Sequence, residues 1–182
     1  GIKMPKIDNK RERVLTNAEW NRLSAALKRA KNRYVGPALA LLLVTTMRAS
    51  EALLTARWSD VDLDRHLLTL RTAKAGGRKV PLGPEAVEIL RKLMEWAGDP
   101  DPAARILPIS YERLKAAWIL ACARAGIKGV HIHDLRHTGA THYALLYNGN
   151  ASLLKRITGH KTDSQLSRYL HIDTEDVAQI MH

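Results

Sequence analysis

Tyr169 lies nine residues after the pair Gly159-His160 and is flanked by Arg168 and His171. A phenol has a reference pKa of about 10, so about one part in a thousand is ionised at neutral pH and it attacks nothing unaided. A nucleophilic Tyr169 needs an acceptor for its own proton, fixed cations where negative charge builds up, and a proton donor for whatever leaves. The chain offers candidates for each. Arg48 ends an apolar run and is followed by Ser50 and Glu51, and Lys74, Arg78 and Lys79 cluster around the Gly76-Gly77 turn. The run His131-Ile132-His133-Asp134-Leu135-Arg136-His137-Thr138 sets His133 and Arg136 three residues apart, on one face of a helix.

Each signal has a plainer reading. Arg48 and Glu51 could form a structural pair; alternatively, Glu51 holds Arg48 toward a bound phosphate, since a guanidinium at the end of an apolar helix must find an anion. Lysines commonly decorate exposed hairpin tips, and the two glycines belong to no phosphate-binding loop, because no Walker-type lysine-serine follows. Among the histidines His131, His133, His137 and His142, His133 and His137 stand at i, i+4. With no His-Glu-x-x-His and no partner cysteines, a metal site is not expected. Tyr143 and Tyr147, also i, i+4, are expected in the core, and His137 beneath the site.

Charge narrows the partner. The 182 residues carry 29 Lys+Arg against 18 Asp+Glu, a net charge of +11, and ten basic against three acidic residues fall within positions 1–34. A polyanion is the expected ligand. A chain of this length suits one domain burying roughly 70% of its unfolded surface. The single cysteine, Cys122, excludes a disulfide framework and fits a small core residue in a reducing cytosol. No signal peptide is evident and the longest apolar run, Pro37 to Val44, is too short to span a bilayer.

The elements that must position these residues follow from patterning. Thr16-Asn17-Ala18-Glu19 is a capping box opening a helix over about 17–31, and Gly36-Pro37 opens a buried helix to about Met47, with Ser50 as a cap beyond Arg48. From Trp58 the period becomes strand-like: Val61-Asp62-Leu63, Leu67 to Thr72, and Arg78 to Leu82 predict a small antiparallel sheet with a basic hairpin tip. Helices are expected over about 85–97, over 111–125 behind a Ser110 cap and before Gly126, through the His133–Arg136 segment, and over 151–158 behind Asn150. Asp173, Glu175 and Asp176 open a terminal helix that would bury Val177 and Ile180. The expected fold class is mainly α with a small three-stranded antiparallel sheet (α+β).

The order Arg48-Ala-Ser-Glu51, hairpin lysine, His133-Asp-Leu-Arg136-His137-Thr, Gly159-His160 and Tyr169 resembles the tyrosine recombinases of the phage-integrase type, from about Val14 to His171. The resemblance implies the family's C-terminal catalytic domain over 14–171, with residues 1–13 the remnant of a basic interdomain linker and 172–182 a helix that contacts another protomer. The helical DNA-clamping domain that usually precedes it in the family is absent, which implies a fragment. It further implies a site-specific recombinase for double-stranded DNA, acting in a bacterial or phage-host cytoplasm as part of a mobile element.

In that chemistry Arg48, Arg136 and His160 bind the scissile phosphate and His133 handles the proton of Tyr169. Lys74, or Lys79 as second choice, protonates the leaving 5′-hydroxyl. Glu51 and His137 support the site, Arg78, Lys79 and Arg168 bind DNA, and neither metal nor nucleotide cofactor is required. Four protomers assemble at the synapse in the family. Thr46-Met47 stands where the family often has Gly-Leu. Two other readings share the residues: an inactive or accessory DNA-binding factor, and a topoisomerase-like enzyme that relaxes DNA without exchanging partners. A general RNA-binding protein is a third, and predicts no covalent adduct.

Overall fold

The computed structural model describes residues 13–71, 77–170 and 174–181. Lys74, His171, Asp173 and residues 1–12 lie outside them, as do the side chains of Val177 and Ile180, so the expectations placed on those residues fall outside the described part of the chain. The described elements run α1 Asn17–Leu27, α2 Val35–Thr45, β1 Val61–Asp62, β2 Leu67–Leu70, β3 Arg78–Pro81, α3 Pro84–Ala97, α4 Tyr111–Ala125, α5 Asp134–Leu146, α6 Ala151–Thr158, α7 Asp163–Leu170 and α8 Thr174–Met181. The architecture is mostly helical with one three-stranded antiparallel sheet in the order β1-β2-β3.

The predicted caps form as the local chemistry requires. Thr16 Oγ1 accepts from the Glu19 amide at 3.1 Å while Glu19 Oε1 accepts from the Thr16 amide at 3.3 Å. Ser110 and Asn150 open α4 and α6 by accepting from the amides of Arg113 and Leu153. Helix α1 ends at Leu27, short of the expected 31, because Arg29 and Ala30 tighten onto carbonyls three residues back. Ser50 does not act as the expected cap; Glu51 Oε1 accepts from the Arg48 amide at 2.8 Å instead. Residues 51–55 then form a single wide turn closed by the Ala56 amide on the Glu51 carbonyl, five residues back.

Helix α2 stops two residues early, and the reason matters for the site. Thr46 takes φ +57°, a left-handed conformation uncommon for a β-branched residue, and is fully buried. It turns the chain so that its carbonyl leaves the helix axis and faces α5. Helices α2 and α5 pack directly on each other, and Gly139 permits the approach: a Cβ there would lie 2.3 Å from the Leu43 carbonyl oxygen and 2.9 Å from Thr46 Cγ2.

The main core gathers α1–α4, the inward face of the sheet (Leu68, Leu70, Val80) and the start of α5. A separate small core of Ala140, Ala144, Leu154, Leu166 and Tyr169 joins α5, α6 and α7. Cys122 is buried in the main core as expected. Tyr147, expected inside, is exposed, its ring stacked on that of Tyr143 at 6.2 Å, while the Tyr143 hydroxyl donates to the Val44 carbonyl at 2.5 Å. The position caps the C-terminal end of α5, about one turn beyond Ala144, the last residue of that helix in the small core.

Gly139→Ala is expected to lower stability by about 1–3 kcal/mol, the usual penalty for overpacking, read as a lower urea midpoint. An unchanged midpoint would mean that α5 moves off α2 at no cost.

Candidate active site

Arg136 sits on the first turn of α5 and is only 4% exposed. Its Nη1 donates to the Thr46 carbonyl and its Nη2 to the Thr158 carbonyl at 2.8 Å. The left-handed Thr46 and the last residue of α6 thus clamp one guanidinium from two sides. Burial pushes its pKa down to about 10, with Arg48 and Arg78 adding repulsion, and it remains a cation at neutral pH. It makes no carboxylate ion pair among the described residues. A guanidinium has five N–H donors, so three are left for a ligand.

Arg48 and His133 share with Arg136 the wall of one cavity of about 450 Å3, completed by Met47, Leu53 and Ile132 among others. The Arg48 side chain is 50% exposed, its Nη1 3.9 Å from Glu51 Oε1. Glu51 belongs chiefly to a different arginine. Arg78 Nε donates to Glu51 Oε2 at 3.1 Å, and Arg78 Nη1 donates to the Ile157 carbonyl at 3.3 Å. Burial alone would raise the Glu51 carboxyl, but the Arg48 amide, Arg78 and the Arg48 charge outweigh it and hold it below the usual carboxylate range.

Arg78 therefore corrects an expectation. Placed by sequence at an exposed hairpin tip, it turns inward, its side chain 18% exposed, and packs over Gly159 so closely that a Cβ there would lie 2.4 Å from Nη1. Strand parity explains it, since Arg78 shares a face of β3 with buried Val80, whereas Lys79 points to solvent. Arg78 ties the hairpin to the turn that carries His160.

The remaining groups meet at α7. Tyr169 is 3% exposed, and its Oη lies 2.6 Å from His137 Nδ1. The His160 ring is centred 5.9 Å from the tyrosine ring, the Arg168 guanidinium carbon stands 5.7 Å from that ring's centre, and the His133 ring meets His137 edge-on at 4.9 Å. His137, expected beneath the site, directly contacts the tyrosine oxygen; its i, i+4 relation to His133 was the signal available. Burial depresses His137 to about 4, with His133 and Arg168 contributing next, and so leaves it neutral at pH 7. Burial also lowers His160 to about 4, reinforced by Arg136, Arg48, Arg168 and Arg78. His133 is lowered as well, by burial and then by Arg136. Sequence reasoning missed Thr46 and Thr158 altogether, because what they contribute is mainly backbone carbonyl and one hydroxyl.

The model of the phage integrase family matches residues 13–176. The chain belongs to the phage integrase family. It is 32% identical over 173 residues to a shufflon-specific DNA recombinase of Escherichia coli, covering 94% of this chain and 43% of that protein. It is also 27% identical over 175 residues to the tyrosine recombinase XerA of Saccharolobus solfataricus, covering 96% of this chain and 57% of that one. The chain thus spans about half the length of these two relatives. Among solved structures, the catalytic domain of bacteriophage HP1 integrase superposes with a TM-score of 0.68 at 28% identity, covering 91% of this chain and 90% of that one. A XerA recombinase superposes with a TM-score of 0.71 at 25% identity, covering 91% and 62%. The expected fold class, mainly α with a three-stranded sheet, is the one observed.

Among the described residues no cluster of His, Cys, Asp and Glu could hold a metal ion, and no helix is long and apolar enough to cross a membrane.

Because His137 and His160 are held neutral while free histidine titrates near 6.5, the unfolded chain binds protons that the folded one refuses as pH falls from about 6.5 toward 4. Their contribution to stability is complete above that range and is lost within it. Unfolding midpoints measured across this window should fall with pH, and less steeply in His137→Gln; an equal slope in the variant would contradict the assignment.

Proposed function

We propose that this chain is the catalytic part of a site-specific DNA recombinase that cleaves and rejoins double-stranded DNA through a 3′-phosphotyrosyl intermediate. The observation that carries the reading is the buried Arg136, fixed by two carbonyls and with no carboxylate partner among the described residues, beside a tyrosine whose oxygen already touches a neutral histidine. Such a site favours an anion whose charge grows in the transition state.

In the proposed step, Tyr169 Oη attacks phosphorus and its proton passes to His137 Nδ1, with the adjoining His133 able to take it onward. This refines the expectation that His133 alone is the acceptor. Arg48 and Arg136 hold the non-bridging oxygens with His160, and never lose their charge at working pH. The P–O5′ bond breaks and the 5′-hydroxyl leaves with a proton from Lys74, or from Lys79 on the exposed face of β3. The phosphotyrosyl bond conserves the bond energy, so a second 5′-hydroxyl reverses the step and completes exchange. The cations the reaction needs are side chains, so neither metal nor nucleotide enters. Arg168, half-buried against Tyr169, holds the nucleophile as well as facing DNA.

The finer assignments rest on the same reading. Residues 1–13 serve as linker, 14–171 as the catalytic domain, and α8, with its exposed Met181, as a contact with a second copy in a tetrameric synapse. The working compartment is the bacterial or phage-host cytoplasm.

A nicked duplex that loses its 5′-hydroxyl fragment after cleavage should trap the wild-type protein as a denaturant-resistant DNA adduct. Tyr169→Phe should trap none, and Arg48→Ala should form the adduct about a hundred- to a thousandfold more slowly, the usual loss for one transition-state donor. An adduct with Tyr169→Phe equal to wild type would sink the proposal. A two-site recombination assay run beside plasmid relaxation distinguishes exchange from relaxation alone.

A further inference from the structure

Thr158, the last residue of α6, is fully buried and contacts two of the proposed phosphate ligands. Its carbonyl accepts from Arg136 Nη2 at 2.8 Å. Its hydroxyl lies 2.8 Å from the Leu154 carbonyl, 2.7 Å from His160 Nδ1 and 3.4 Å from the His160 amide. The Leu154 carbonyl can only accept, so both short contacts are satisfied at once when the single hydroxyl hydrogen points to Leu154. In that arrangement the hydroxyl offers lone pairs alone to the imidazole, and the hydrogen in that contact sits on Nδ1. His160 Nε2 has no hydrogen-bond partner among the described residues.

We propose that Thr158 is a positioning residue that fixes His160 in its Nδ1–H form, leaving Nε2 as a bare lone pair facing the site until an anion arrives. The tautomer is decided inside this chain. Its consequence for catalysis rests on the phosphate reading above.

In the DNA-free protein the ring is surrounded by Arg136 from α5, Arg48 beside the wide turn, Arg78 from β3, and Arg168 and Tyr169 from α7, with Glu51 holding Arg78 and Lys161 following it in the chain. Burial, reinforced by four guanidinium groups, keeps it neutral, with its pKa at about 4. A neutral Nδ1–H ring repels a phosphate oxygen at Nε2. It donates there only after Nε2 gains a proton, and the incoming phosphate charge, by offsetting the arginines, supplies the drive. Engagement of the scissile phosphate is thus coupled to uptake of one proton at His160, which the expectation of a standing donor did not contain.

Long-range 15N–1H correlation spectra of the histidine-labelled, DNA-free protein at pH 7 read the tautomer directly. The expected result is His160 with a protonated Nδ1 and a pyridine-like Nε2, a shift of the ring toward Nε2–H in Thr158→Val, and restoration in Thr158→Ser. A wild-type His160 already carrying its hydrogen on Nε2, or a tautomer unmoved by Thr158→Val, would overturn the proposal. Adduct formation on the nicked duplex adds the functional arm. In Thr158→Val adduct formation should lose the wild-type decline with rising pH, with Thr158→Ser close to wild type; identical pH profiles in all three proteins overturn the coupling. Failure of the wild type to form any adduct would count against the recombinase reading and leave the tautomer result standing.

Discussion

A buried guanidinium is the constraint around which the rest of the domain is arranged. Taking Arg136 out of water without a carboxylate partner among the described residues is expensive, and the penalty is met by two backbone carbonyls that the fold must deliver to the same point. One comes from Thr46, which adopts a left-handed backbone at the end of α2 to present it. The other comes from Thr158 at the end of α6. Gly139 lets α5 lie close enough to α2 for the first bond to form. Helix termini are natural places to find such carbonyls, because the last turn leaves them without helical partners. The cost of burying the charge is therefore lowered by groups that needed donors anyway.

The same clamp organises the neighbours. Thr158 joins Arg136 to His160, and Gly159 gives Arg78 room to lie across the turn and hold Glu51, which in turn caps the segment bearing Arg48. Four chain segments far apart in sequence thus converge on one electropositive hollow. Helix α7, which carries Tyr169, docks through two buried side chains, Leu166 and Tyr169, in a small core separate from the main one. A tyrosine whose own ring is half of its helix's anchor cannot leave its histidine without loosening the helix, so chemistry and docking are linked through one side chain.

Much of this was legible in the sequence where the signal is local. The caps at Thr16, Ser110 and Asn150 and the hairpin follow from short-range chemistry, whereas the grouping of Arg48, His133, Arg136, His160 and Tyr169 came from the resemblance of their order to the tyrosine recombinases. What escaped depends on tertiary geometry. Ser50 looked like a cap, yet Glu51 is longer and reached the Arg48 amide first. Arg78 was assigned to solvent by composition, although its parity with Val80 on β3 marked an inward position. His137 was recognised as supporting, but its contact with Tyr169 spans 32 residues and rests on how α7 packs on α5. Thr46 contributes a carbonyl, which every residue possesses, so no residue type could announce it, and the Thr158 hydroxyl meets His160 only through the turn at Gly159.

The central claim is that Arg136 works as a fork pinned by two carbonyls and not merely as a positive charge. Lysine keeps the charge but has a single nitrogen that cannot hold Thr46, Thr158 and a phosphate in the same plane. Arg136→Lys, checked by its unfolding midpoint to be folded at the assay temperature, should form the covalent adduct on a nicked duplex at least about a hundredfold more slowly than wild type. Adduct formation by this variant at a rate near that of the wild type would contradict the claim.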